Sequence, residues 1–511
     1  MKVALATGRK AEGMVKDAVR TANAARITCE VLTQDLNIAA FSTPKSLKRA
    51  LDKYGESKKL DCNLILVSGF CKADFSDLEE EIATPIRLGP RHAYDIGEAL
   101  QFVEETEFSS HTPADVFLAA KRKENAKQQL YELESSAKET FSLKGVKVGG
   151  GARMKVCAEL VDATLMTEDE LRRMIEHYLE SGADILDIGV HIGAKPDEVK
   201  KAVETALSFA PPDVPISIDT LDSDLIRAGV ENGVDMVLSV NSENISEVGE
   251  AIASNNVAAV VIPDSDKAQK SNESLFATLK MAEEHGIKRI IADPVLNTIG
   301  YGIAESLYNY YLFRLQDKTT PLFFGVGNVT ELMDADSVGI NATLAGIASE
   351  LSADILFTPE CSDKARGSVR ELRVASEMMV LSKARKSAPK DVGLDLLTLK
   401  EKRRKPVMRI HDGELITAKK NEKWRLDPKG CFRIAIGEVE GDGKSDKKIC
   451  AQHSPTGKRI IGRSAQEIMD TILRLNLVSR LEHVSYLSRE LTKAELALRL
   501  DRSYEQDGTL F

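Results

Sequence analysis

Between residues 152 and 385 short apolar runs recur at an even pace, each followed by a stretch of helical character. The runs are KVCAEL, ADILDIGV, VPISIDT, DMVLSV, AAVVIPD, RIIADPV, PLFFGV and ADILFTP. They predict eight strands. Their apolar residues are nearly continuous, as strands need when helices cover both faces of a parallel sheet. Eight strand–helix units fit a (β/α)8 TIM barrel, typically roughly 250 residues long. A doubly wound sheet is the competing arrangement. Upstream, VALAT, ITCEVL and LILVSG read as strands and EGMVKDAVRTANA as a helix. Residues 1–120 therefore predict an α/β domain with a parallel sheet, of Rossmann or flavodoxin-like type. Residues 121–151 have helical composition, then end in Gly149-Gly150-Gly151, and predict a helical linker.

Residues 386–408 form a charged linker, whose KEKRRK run reads as an exposed face. Beyond it, 409–511 predict a smaller α+β domain. CFRIAIGEVEG and KKICAQHS flank GDGKSD as a hairpin. AQEIMDTILRLNLV and SRLEHVSYLSRELTKAELALRL carry apolar residues at helical spacing and predict two amphipathic helices.

A length of 511 residues agrees with about three domains. The 69 basic and 79 acidic residues leave a net charge of −10. That balance argues against a nucleic-acid partner, because phosphate backbones attract basic surfaces. No apolar run approaches the roughly 20 residues that span a bilayer, so no membrane span is expected. MKVALATGRKAEG reads as a strand and turn, not as a signal peptide. Seven dispersed cysteines without a CxxC pair suit a reducing cytoplasm and give no zinc signature.

The chemistry of a (β/α)8 barrel sits at the C-terminal strand ends. There this chain places Glu159 and Asp162, Asp187 and His191, Asp219, Asn241 and Asn244, Asp264, Asp293 and Asn297, Asn328, and Glu360. Carboxylates and carboxamides dominate. Buried carboxylates are costly unless paired, hydrogen-bonded or bound to a metal. The ring therefore suits a ligand rich in N–H donors, or a metal. No H-E-x-x-H or similar cluster names metal ligands, so a metal stays open. Asp162 and Asp264 read as helix caps, whereas Asp187, Asp219 and Asp293 converge on one face. His191 is either catalytic or a support for its loop. Thr7-Gly8-Arg9-Lys10 reads as a plain turn.

SGADILDIG at 181–189 and PISIDT at 215–220 resemble the pterin-binding barrel of dihydropteroate synthases and methyltetrahydrofolate:corrinoid methyltransferases. DPVLNTIGYG at 293–302 is similar to the Asp-Pro segment after strand six of the synthases. The whole chain most resembles the archaeal-type dihydropteroate synthase-related proteins. The resemblance implies a reduced pterin, of tetrahydromethanopterin or folate type, as substrate or ligand. It also implies pterin-binding roles for Asp219, Asp293, Asp187, Asn241 and Asn328. Asn328 matches the methyltransferase Asn near pterin N5, and with Asp187 it becomes the candidate catalytic pair.

Departures matter as much. The strand-four Asn of both families falls on Leu238. Where synthases carry Ser-Arg-Lys after strand seven, this chain has GVGNVT. Their Arg-x-His on strand eight, which handles pyrophosphate, is here Phe357-Thr358-Pro359. Lys364 and Arg366 are the substitute cations, with His191 as a further second-substrate candidate. DPKGCFRIAI and NLVSRLEHVSYLSRELTKAELAL are similar to the C-terminal part of one component of the tetrahydromethanopterin S-methyltransferase complex. That likeness implies a corrinoid or methyltransferase-complex protein as partner, and related barrels imply a homodimer. The expected function is a pterin-dependent transferase, in pterin biosynthesis or in one-carbon transfer. The alternatives are a non-catalytic pterin-binding assembly or regulatory protein, and a metal-dependent TIM-barrel enzyme with another ligand.

Overall fold

A computed structural model describes residues 1–21, 27–57, 62–104, 106–264, 271–399, 416–419, 425–441 and 444–510. The KEKRRK run, residues 400–405, lies outside them, as do residues 442–443 of the expected hairpin turn. The chain forms two compact units, Met1–Arg404 and Lys405–Phe511.

Among the described residues the first unit holds a four-stranded sheet, an eight-stranded barrel and a two-stranded hairpin. Strands β1 (Lys2–Gly8), β2 (Thr28–Gln34), β3 (Leu64–Val67) and β4 (Ile86–Leu88) are parallel, in the order β2-β1-β3-β4. Leu64 and Leu66 pack on one face and Ile65 and Val67 on the other, so LILV is apolar throughout. β4 spans three residues, too few to register as an apolar run.

The expected linker at 121–151 is corrected. A helix runs Ala114–Ser136, and β5 (Phe141–Leu143) and β6 (Val146–Val148) form an antiparallel hairpin. Leu143 and Val148 are fully buried in one cluster with Cys157, Ile185, Met236, Ala258, Ile291, Phe323 and Ile355. The hairpin thus packs into the barrel interior. The glycines allow the return: an added Cβ on Gly150 would stand 1.5 Å from the Lys138 carbonyl oxygen. Truncating Leu143 to Ala is expected to cost about 2–5 kcal/mol of stability, read from denaturant unfolding. A loss below about 1 kcal/mol would show that the hairpin is not part of the core.

The eight predicted barrel strands are β7 (Lys155–Leu160), β8 (Ile185–Gly189), β9 (Ile216–Asp219), β10 (Met236–Val240), β11 (Ala258–Val261), β12 (Ile290–Ala292), β13 (Phe323–Gly325) and β14 (Ile355–Pro359). All pairings among them are parallel, in the order β12-β11-β10-β9-β8-β7-β14-β13. A parallel bridge from Ala292 to Leu322 closes the ring. The outward residues Val156, Ala158, Leu186, Ile188, Ile216 and Ile218 pack against the helices. Cys157 and Ile185 belong to the interior cluster. Side chains alternate along a strand. Glu159 and Asp187 are therefore the next inward positions after Cys157 and Ile185, one layer nearer the C-terminal end.

The second unit is the expected α+β domain with one strand added. β15 (Cys431–Gly441) and β16 (Lys444–Ser454) are antiparallel, and β17 (Arg459–Gly462) joins β16. Helices Ala465–Arg474 and Leu481–Arg499 cover the sheet through Ile468, Ile472, Leu487, Leu491 and Ala494. Asp427 ties the unit together: it accepts from the backbone of Lys429, Ser479 and Arg480, and from the Ser479 hydroxyl. No described helix is long and apolar enough to cross a membrane.

Candidate active site at the barrel mouth

Four strands end in an inward acid. Register sets Glu159 of β7 opposite Asp187 of β8, Asp187 opposite Ser217 of β9, and Gly189 opposite Asp219. Glu159, Asp187 and Asp219 each offer a carboxylate oxygen, and these lie within 4.8 Å of one another. Gly189 makes the space, since a Cβ there would stand 2.7 Å from Glu159 Oε1.

Asp187 is completely buried. The Ser217 hydroxyl donates to its Oδ1, while its Oδ2 has no hydrogen-bond partner among the described residues. Burial pushes the Asp187 carboxyl well above the usual range, and the charges of Asp219 and Glu159 add to this. Glu159 is pushed up to about 7 by burial first, then by Asp219, Asp162 and Glu331. Asp219 is pushed up to about 6 by burial and by Asp293.

Asp293, just past β12, is also raised to about 6 by burial, against hydrogen bonds that favour its charged form. The Tyr310 hydroxyl, from helix Ile303–Gln316, donates to Asp293 Oδ1 at 2.6 Å. The Val295 backbone N–H donates to the same oxygen at 2.8 Å. Asn328 sits on the turn Gly327–Thr330 after β13. It is exposed, and its Nδ2 donates to the Leu296 carbonyl at 2.9 Å, joining this turn to the segment after Asp293.

Other expected residues stand elsewhere. Asn241 is engaged locally: its Oδ1 accepts from the backbone N–H of Glu243 and of Asn244, both at 3.1 Å, and so closes the turn that precedes helix Ile245–Ser254. A carboxamide oxygen engaged in this way is less free for a ligand. Lys364 pairs with Asp334 at 2.7 Å, a residue whose side chain is 99% exposed, and Arg366 is exposed. The charge expected of Lys364 is thus already matched by a carboxylate. His191 Nδ1 bonds the Thr164 hydroxyl at 2.6 Å, which supports the loops after β7 and β8. Asp264 accepts from the hydroxyls of Ser242 and Ser274. Ser217 and Tyr310 complete the site without having been singled out, and Glu159, expected at the end of strand one, had been given no role there. The inward phase of Cys157 was the available signal for Glu159.

Residues 162–339 match the family described as Pterin binding enzyme, and residues 426–507 match the family PterinBD-DUF4346. The uncharacterized protein MJ0107 of Methanocaldococcus jannaschii is 36% identical over 533 residues, covering 100% of this chain and 99% of that protein. Among solved structures, Yersinia pestis dihydropteroate synthase with a pterine-sulfa conjugate is 18% identical at a TM-score of 0.39, covering 48% of this chain and 98% of its own. Thermus thermophilus dihydropteroate synthase in complex with 6HMPPP is 21% identical at a TM-score of 0.36, covering 44% and 93%.

Proposed function

Because the chain belongs to the family of the Methanocaldococcus jannaschii protein MJ0107 and its barrel matches the pterin binding enzymes, we propose that it is a pterin-dependent transferase moving a one-carbon group to or from N5 of a reduced methanopterin or folate. The carrying observation is the pair Asp219 and Asp293, inward at the barrel mouth and coupled through their charges. An amino-pyrimidine edge presents adjacent N–H donors. An ionised carboxylate accepts such donors in charge-assisted bonds. Asp293 is preset for this by Tyr310 and Val295.

The one-carbon version is favoured over condensation with a pterin diphosphate by the charge around β14. A leaving diphosphate needs cations. Phe357, Thr358 and Pro359 supply none, and Pro359 stands opposite Glu159. In methyl transfer the C–N5 bond breaks toward a nucleophilic acceptor, its electron pair stays on N5, and N5 takes a proton. In this reading Asn328 orients that proton and the Asp187 carboxyl, held neutral by burial, is its reservoir. The acceptor is a corrinoid or a thiol.

Titrating reduced pterins against the full chain tests the ligand. Product analysis then compares a methyl-pterin plus corrinoid or thiol with an arylamine plus pterin diphosphate. Asn328→Ala is expected to lower methyl transfer by about 10²-fold or more while changing pterin affinity less than about threefold. Equal losses in both would remove its N5 role. Tight pterin binding with neither turnover, in a chain that co-purifies with a partner, would favour the assembly or regulatory reading.

A further inference from the structure

Asp187 holds the proton that the proposed reaction consumes, yet it has no exposed surface through which to regain one. We propose that Glu159 supplies it: its carboxyl takes a proton from water at the barrel rim and hands it to Asp187 Oδ2, and Asp187 passes it to the substrate. In each cycle the Asp187 O–H bond breaks as N5 gains the proton. The Glu159 O–H bond breaks as Asp187 is restored, and water returns a proton to Glu159. Glu159 thus acts through Asp187. The relay rests on the one-carbon reading for where the proton ends, not for how it enters.

Glu159 and Asp187 stand opposite each other on β7 and β8. Carboxylate oxygens of these two and of Asp219 lie within 4.8 Å of one another. Ser217 fixes Asp187 Oδ1, so Oδ2 is the oxygen left to lose and regain a proton, and it has no hydrogen-bond partner among the described residues. A buried O–H without an acceptor is costly. Bonds of the O–H···O⁻ kind close at about 2.5–2.7 Å, and rotation of the half-buried Glu159 side chain covers the remaining distance. Gly189 leaves the room, since a Cβ there would stand 2.7 Å from Glu159 Oε1. Asp219 is the other carboxylate in reach, but a proton on it would remove the charge that grips the pterin edge. Glu159 is also suited to hold a proton near neutrality. Burial, Asp219, Asp162 after β7 and Glu331 after β13 push it up to about 7. Its other titratable neighbours stay neutral there: burial raises the Cys157 and Cys361 thiols and the Tyr178 hydroxyl, and that hydroxyl donates to the Glu159 backbone carbonyl at 3.2 Å.

Proton entry is read without turnover. The ligand-free full chain is moved from H2O to D2O near pH 7, and infrared spectroscopy follows the carboxyl C=O stretch of Asp187, assigned by its loss in Asp187→Asn. Glu159→Gln keeps the side-chain shape but carries no exchangeable acid proton, and should slow the exchange by about tenfold or more. Asp219→Asn should leave it within about twofold, because the route does not pass through Asp219. Glu159→Ala should also be slow and should recover with added formate, a small acid that fits the space opened; Glu159→Gln should not recover. In methyl transfer the wild-type rate is expected to fall as pH rises through about 7, where Glu159 loses its proton. Glu159→Gln should remove that fall and lower kcat by about tenfold or more, with pterin affinity changed less than about threefold. No Asp187 carboxyl band near pH 7, exchange unchanged in folded Glu159→Gln and Glu159→Ala, or exchange slowed by Asp219→Asn instead, would overturn the relay. Slowed exchange in a chain that transfers no methyl group would keep the relay and remove the one-carbon reading.

Discussion

Replacing Asp293 by Ala is expected to weaken reduced-pterin binding by about 10²–10⁴-fold. Two charge-assisted hydrogen bonds, each about 1.5–3 kcal/mol, lie behind this figure. The site is preset, since Tyr310 and Val295 hold one oxygen while burial removes competing water. Asp219→Ala should cost about tenfold to 10²-fold, because Asp219 is less buried and has no comparable anchor among the described residues. Calorimetric titration of the full chain reads both. A folded Asp293→Ala protein that loses less than threefold would show that the pterin edge lies elsewhere. Tyr310→Phe supplies a graded control: it removes the anchoring hydroxyl but keeps the carboxylate.

The ligand-free, EDTA-treated chain is expected to be more stable near pH 5 than near pH 8. Asp219 and Asp293 sit at about 6 against an ordinary 3.8, and Glu159 at about 7 against 4.5. The folded state therefore holds more protons than the unfolded state across this window. Stability falls as pH rises through it and levels off above about 7. For Asp293 alone the shift corresponds to on the order of 3 kcal/mol. The contributions of the cluster do not add, because its members titrate together. Below about pH 4 the trend reverses: Glu134 and Glu360 are held below the usual carboxylate range, against burial, by Lys155 and His177. Asp187→Asn should remove part of the decline and raise the urea midpoint at pH 8. A midpoint that rises steadily from pH 5 to pH 8 would contradict buried carboxyls with raised values.

Asp187, Asp219 and Asp293 were legible before any coordinates, and Glu159 was nearly so. Their strands are continuous apolar runs, and an acid at the end of such a run is conspicuous. What each of these side chains touches was not legible. Asn241 looked like a ligand-facing carboxamide because it matches an Asn of the methyltransferases. The backbone beyond it makes a turn before the next helix, and the N–H groups of Glu243 and Asn244 in that turn claim its oxygen. Lys364 was the natural substitute cation, but Asp334, thirty positions earlier, already pairs with it. The glycines before β7 read as a boundary, whereas they serve a hairpin whose Leu143 and Val148 join the interior core.

The sequence by itself determined the eight barrel strands, the parallel sheet before them, the two closing helices and the inward phase of the acids. These follow from periodicities of two and of about 3.6 residues, which are local properties of the chain. Only the tertiary structure decided which acids meet. Glu159 and Asp187 are 28 positions apart and Asp187 and Asp219 are 32 apart, and their closeness comes from strand register and from the missing side chain of Gly189. It alone left Asp187 Oδ2 buried without a partner, because burial and the competition for hydrogen-bond partners are set by packing between distant segments.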